Sequence, residues 1–133
     1  MRRAAIPILV VALLAAGCGA RSTKPFTAKG TISCLRNKHF TVTTDPAQVG
    51  FIAAFADNGG LRATGQDGNV VTIAFTKDET TVGDTVSAFK AHASRQLRPH
   101  FSDVLRTSRN AVMVWTTTPP SNDDQTVQGC LAP

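Results

Sequence analysis

The 133-residue sequence lacks the residue sets that many enzyme and metal sites require. Its only glutamate, Glu79, adjoins Asp78 ahead of a predicted helix, where helix-start charge explains the pair better than the opposed carboxylates of a glycosidase. Its three histidines, His39, His92 and His100, show no metal-ligand spacing, and no Gly-x-Ser-x-Gly elbow is present. The sequence therefore predicts no catalytic residue, no metal ligand and no cofactor.

Hydrophobicity and charge exclude further classes of protein. The chain is 42% hydrophobic and 17% charged, which suits one globular domain and rules out a disordered or collagen-like protein. Its formal net charge is +5, and Arg2 and Arg3 at the N-terminus supply part of it. The remaining excess of basic residues is too small for a nucleic-acid-binding surface, but it is compatible with an anionic membrane surface.

An apolar run near the N-terminus has the layout of an export signal. Arg2 and Arg3 precede residues 4–17, which carry no charge. These fourteen residues are too few to cross a bilayer, since a membrane-spanning helix needs about 20 residues. The run ends in the letters LAAGC, the last of which is Cys18.

The LAAGC run resembles the lipobox of bacterial lipoproteins, with Ala15 at the position where that family most often has leucine. The resemblance implies that Cys18 is lipidated, for example with palmitate, and becomes the new N-terminus. It implies export and a lipid anchor on the outer face of a bacterial membrane, so that the bilayer is the first predicted partner. The resemblance covers the leader alone and implies no activity. Ordinary secretion with cleavage after Ala20 is the alternative.

The sequence thus divides into a signal peptide at 1–17, a polar tether at 18–28 and a single domain at 29–133. With Cys18 used as the anchor, Cys34 and Cys130 are left in an oxidising compartment, and we expect them to form a disulfide. In the chain-entropy model, closing so long a loop stabilises a fold by about 4 to 5 kcal/mol. Two buried free thiols are the alternative.

Hydrophobic periodicity and turn residues predict an α+β domain. The predicted elements, in order, are a helix at 29–38, a strand at 40–44, a helix at 46–57, a hairpin of strands at 61–65 and 70–76, a helix at 81–97, a strand at 111–116 and a helix from 121. Residues 100–110 are predicted to connect two of these elements. The order matches a ferredoxin-like split βαβ sheet (βαββαβ) with an extra short helix at each end. Its first and last strands are neighbours, which would bring the two cysteines together.

One face of the predicted sheet is the candidate binding surface. The core face is assigned to Phe40, Val42, Leu61, Ala63, Val71, Ile73 and Phe75. The last strand is apolar at both parities, and Val112 and Val114 are assigned to that same core face. The opposite face then carries a predicted site of Trp115 as anchor with Met113, Thr41, Thr43, Arg62 and Thr72. Two alternatives are that a terminal helix covers this face, and that the parity is reversed and Trp115 belongs to the core.

The sequence predicts a non-catalytic binding or accessory module of the cell envelope. Its expected partners beyond the bilayer are an envelope protein or an anionic polymer, and nucleic acid is not expected. A basic stretch is interpreted mainly as solvated surface, and it comprises Lys90, Arg95, Arg98, Arg106 and Arg109. The alternative functions are an envelope enzyme with an unrecognised site and a structural subunit of an envelope complex.

Overall fold

The computed structural model describes residues 23–133, so the predicted signal peptide and Cys18 lie outside the described residues. The helices are α1 (Ala28–Asn37), α2 (Pro46–Val49), α3 (Phe51–Ala54), α4 (Val82–His92), α5 (Phe101–Val104) and α6 (Ser121–Cys130). The strands are β1 (Thr41–Thr43), β2 (Gly60–Thr64), β3 (Val70–Phe75), β4 (Leu105–Ser108) and β5 (Ala111–Trp115). Within 23–133, no helix is long and apolar enough to span a membrane.

The strands form one antiparallel sheet in the order β1-β2-β3-β5-β4. The predicted α+β class is confirmed, and so is the hairpin of β2 and β3, whose turn contains Gly68 at φ 84°. The ferredoxin-like strand order is not the one observed. It requires the first and last strands to be neighbours, whereas β1 pairs with β2 at one edge and β5 lies between β3 and β4.

Two local features account for the different topology. Gly50, at φ 88° and ψ 157°, divides the predicted helix at 46–57 into α2 and α3, each of one turn. These helices are too short to cross the sheet, so the chain enters β2 at the end where it left β1, and the two strands pair antiparallel. The segment expected to be a connection forms α5 and β4, and β4 pairs with β5 across a tight turn containing Arg109 at φ 50°.

Helix α4 is shorter than the periodicity predicts. It ends at His92 because Ala93 is extended, and the Arg98 guanidinium donates hydrogen bonds to the carbonyls of Ala91 (3.1 Å) and Ala93 (3.0 Å). Thr81 occupies the N-cap position of α4, but its side chain makes no capping hydrogen bond. A 3₁₀ turn precedes α4 instead, and the Asp78 carboxylate caps it.

Helices pack on both faces of the sheet. Face A is the face of Leu61, Ile73 and Met113, which lie in register across β2, β3 and β5 and are fully buried. They share the main core with Leu35 of α1 and Val127 of α6. Face B is the opposite face. A smaller core on face B consists of Val49, Ala53 and Ala74, with Phe89 of α4 packed against it.

Cys34 of α1 and Cys130 of α6 form a disulfide, with 5.4 Å between their Cα atoms. The predicted bond is confirmed, although the strand neighbours invoked for it are not present. The cysteines meet because the start of α1 lies beside the end of α6, where the Thr27 amide donates to the Ala132 carbonyl at 2.9 Å. The bond therefore joins two helices that both belong to the main core.

The buried side chain of Asn110 joins the N-terminal segment to the sheet. Its Oδ1 accepts from the Phe26 amide at 2.7 Å, and its Nδ2 donates to the carbonyls of Phe26 (2.9 Å) and Thr76 (2.8 Å). Arg109 adds a hydrogen bond to the Lys24 carbonyl and lies over the Phe26 ring, 4.4 Å from its centroid. We call this end of the sheet, where β3 ends and β5 begins, the tether end.

Candidate functional site

The structure divides the six residues of the predicted binding surface between the two faces of the sheet. Trp115 is 1% exposed and Met113 is fully buried. They pair with Val71 and Ile73, so they point into the main core on face A. The alternative of reversed parity in the last strand is therefore the one that the structure shows. The prediction assigned Trp115 and Met113 to the wrong face because β5 is apolar at both parities and covered on both faces. The alternation of its side chains therefore does not show which of them point into the main core.

The other four predicted residues lie on face B, where two of them have local structural roles. The Thr43 hydroxyl accepts from the Asp45 amide at 3.2 Å, next to the start of α2. Exposed Arg62 donates to the Gln48 carbonyl at 3.3 Å and so links β2 to α2. Thr41 is exposed at the edge of the sheet, and Thr72 borders a cavity.

That cavity lies on face B between α2–α3 and α4 and has a volume of about 320 Å³. Thr72 of β3 lies on the sheet side. The remaining lining residues are Val49, Gly50, Phe51, Ile52, Ala53, Phe89 and His92. The walls are mostly apolar, with the Thr72 hydroxyl and the His92 imidazole as their polar side-chain groups. No lysine, arginine, aspartate or glutamate borders this cavity.

Sequence reasoning missed the cavity although it singled out several of its residues. In the helices predicted at 46–57 and 81–97, Val49, Ile52 and Phe89 fall on the apolar faces. Periodicity identifies the face of a helix that turns inward, but it does not show whether two such faces close against each other. The one local signal is Gly50, because a glycine inside a helical pattern can mark a break in the helix.

Phe51 and Phe55 form an exposed aromatic pair beside the cavity. Their side chains are 77% and 76% exposed, and they are the only large hydrophobic residues of 23–133 that are exposed. The ring centroids are 4.9 Å apart and the ring planes are tilted by 46°. In a continuous helix over 46–57, Phe55 would share the apolar face of Val49 and Ile52, but α3 ends at Ala54 and the ring is exposed.

A pair of carboxyl groups lies at the end of the sheet opposite the tether end. A Cβ built on Gly65 would lie 3.0 Å from Asp67 Oδ1 and 3.4 Å from Asp123 Oδ2, so both side chains border this glycine. Burial raises the pKa of Asp123, and the charge of Asp67 and a hydrogen bond to it raise that pKa further. Residues 23–133 contain no group of three or more His, Cys, Asp or Glu side chains that could hold a metal ion.

Three arginines of the basic stretch make contacts within the domain. Arg98 is bonded to carbonyls at the end of α4. Arg106 donates to the Leu105 carbonyl at 2.7 Å and approaches Asp124 at 3.4 Å. Arg109 donates a hydrogen bond to the Lys24 carbonyl of the N-terminal segment.

Three features of the described residues bear on function: the apolar cavity, the exposed aromatic pair and the attachment of the N-terminal segment. The first two are adjacent, because Phe51 belongs to both. No protein-family model, curated protein or solved structure matches this chain.

Proposed function

We propose that this protein is an exported lipoprotein whose domain is a non-catalytic binding module. Cys18 carries the lipid anchor on the outer face of a bacterial membrane, and the face B cavity binds a small apolar molecule. The cavity is the observation that carries the binding function. At about 320 Å³ it falls within the range of ligand sites, and its mixture of apolar walls with a few polar groups is typical of them.

The lining of the cavity defines the class of ligand. Because no charged carboxylate or ammonium group borders it, an ionised ligand would lose its hydration without gaining a counter-charge. A hydroxyl from Thr72 and an imidazole from His92 offer hydrogen bonds to one polar group. The ligand is therefore an uncharged, largely apolar molecule with a single hydrogen-bonding group.

Two observations support export and anchoring. The leader contains the LAAGC run that resembles a lipobox. The Cys34–Cys130 disulfide is of the kind that persists in oxidising compartments outside the cytoplasm. Mass spectrometry of the full chain produced in bacteria tests the anchor. We expect a mature N-terminus at Cys18 with added acyl mass, whereas an unmodified N-terminus at Arg21 would support ordinary secretion.

Binding is tested with N-phenyl-1-naphthylamine, an uncharged fluorescent probe with one N–H group, and a domain beginning at Ser22. Thr72→Phe would place a ring into the cavity from β3. Thr64→Phe makes the same change on β2, on the same face but away from the cavity. We expect saturable binding by the wild type and the Thr64→Phe control, and binding about tenfold weaker, or about 1.4 kcal/mol, in Thr72→Phe. Equal affinity in all three proteins, with unchanged circular dichroism, would refute the cavity as the site.

A further inference from the structure

We propose that Phe51 and Phe55 dock into the surface of the bilayer that holds the lipid anchor. The inference rests on the proposed anchoring through Cys18 and adds a second, non-covalent contact between the domain and the membrane. The partner that binds the exposed surface of Phe51 and Phe55 is thus the lipid bilayer.

The exposure of the two rings is the first argument. Each leaves about three quarters of its surface in water, while every other large hydrophobic side chain of 23–133 is at least partly covered. Their contact at 4.9 Å makes them one apolar projection. Aromatic side chains that project together from an otherwise covered domain are suited to the boundary between lipid headgroups and acyl chains.

Hydrogen bonds place this projection near the tether end. The Thr76 carbonyl accepts from Asn58 Nδ2 at 2.7 Å and from Asn110 Nδ2 at 2.8 Å. Asn110 holds Phe26 on the N-terminal segment, and Asn58 lies four residues beyond the end of α3. Phe55 precedes Asn58 by three residues, so their Cα atoms are at most about 11 Å apart.

The length of chain between the anchor and the domain brings the membrane within reach. Five peptide units separate Cys18 from Thr23, the first described residue, and such a segment spans at most about 18 Å. The carbonyls of Lys24 and Phe26 accept hydrogen bonds from the domain, so the chain from Lys24 onward adds no length to the tether. A lipid on Cys18 therefore keeps the tether end close to the bilayer surface.

The charges at the tether end do not by themselves explain why this end of the domain would bind to the membrane surface. Side chains of both signs occur there, namely Lys24, Lys77 and Arg109 with Asp57, Asp78 and Glu79. Arg109 and Glu79 approach each other to 3.8 Å. Because opposite charges are mixed, a contact made by the aromatic pair should persist at high salt, whereas a contact made by basic residues would weaken.

The test uses the full lipidated chain in vesicles of phosphatidylcholine and phosphatidylglycerol, with and without lipids brominated in their acyl chains. Phe55→Trp places a reporter in the projection, and Phe51→Trp is a second reporter. Gln125→Trp is the matched control, since Gln125 is exposed on α6 on the opposite side of the sheet. Trp115 contributes the same buried background to every variant.

We expect brominated lipids to remove the added emission of Phe55→Trp and Phe51→Trp, at low and at high salt, and to leave that of Gln125→Trp unchanged. If acyl mass is found on Cys18 and neither reporter is quenched, docking is refuted while anchoring stands. If Cys18 carries no lipid, the anchoring proposal fails, and this inference fails with it. Protection of the reporters by a second copy of the chain, shown by cross-linked dimers and no quenching by bromine, would also overturn it.

Discussion

At the scale of single residues, Trp115 shows how completely face A is closed. Its indole is 1% exposed in the core that contains Leu35 of α1 and Val127 of α6. Its Nε1 has no hydrogen-bond partner within the described part of the chain. The residue is therefore a structural element of the core and not an anchor for ligands.

Replacement of Trp115 tests this assignment. We expect Trp115→Ala to lower the free energy of unfolding by about 3 to 5 kcal/mol, because it leaves a large hole in a packed core. Trp115→Phe should lower the free energy of unfolding by less, because phenylalanine keeps part of the aromatic ring and has no N–H group to bury. Urea denaturation gives both values, and wild-type emission should be blue-shifted and protected from quenchers. A red-shifted, quenchable spectrum would contradict the assignment.

Asp123 makes stability depend on pH. Burial, the charge of Asp67 and the hydrogen bond to it raise the pKa of Asp123 above its ordinary value of 3.8. The folded state thus binds the proton more tightly than the unfolded state does. The resulting stabilisation is fully present below the unfolded pKa and is lost as the pH rises through the folded pKa.

We expect Asp123→Asn to be more stable than the wild type at pH 7, because the amide avoids the ionised carboxylate. The two proteins should converge when acid protonates Asp123. In an Asp67→Asn background the gain should shrink, because one cause of the raised pKa has been removed. Thermal unfolding at several pH values measures these differences, and equal stability at pH 7 would contradict the prediction.

At the scale of secondary structure, Gly50 determines the connection between β1 and β2. Its φ of 88° with ψ of 157° belongs to a region that side chains other than glycine rarely enter. The sequence signals for a helix were sound at its start, where Asp45 caps and Pro46 opens α2. They did not show that one glycine would divide the helix, because glycine is also tolerated inside helices.

A pair of glycine substitutions tests this reasoning. Gly50→Ala should lower the free energy of unfolding by about 1 to 3 kcal/mol, because alanine is strained at this φ and ψ. Gly83→Ala is the control, since Gly83 is helical in α4 and a Cβ there would meet nothing within 4 Å. We expect it to raise stability by about 0.5 to 1 kcal/mol. Similar effects in the two variants would show that Gly50 does not require its backbone conformation.

At the scale of the whole molecule, individual contacts could be predicted from the sequence, but the order of the strands in the sheet could not. The β2–β3 hairpin followed from the turn residues between its two predicted strands, and the Cys34–Cys130 bond followed from the number of cysteines left for the domain. Strand β4 was missed because its residues, Leu-Arg-Thr-Ser, form an edge strand with one apolar side chain. Without β4 the strand order could not be derived.

The candidate site was missed for a reason that also belongs to this scale. Its cavity is assembled from residues 49–53, Thr72 and the end of α4, which are distant in the chain. The tight connection at Gly50 and the early end of α4 decide where those segments lie. Periodicity recognised the apolar side chains, but the space between them depends on the tertiary fold.

The disulfide also has a consequence for a chain that has been damaged. Cys34 and Cys130 enclose nearly the whole domain in one covalent ring, and only residues 23–33 and 131–133 of the described chain lie outside it. A protease that cuts one peptide bond inside the ring produces two fragments that stay joined. Neither fragment can diffuse away until the disulfide is reduced. The two fragments of a nicked molecule therefore stay together and can refold as one unit.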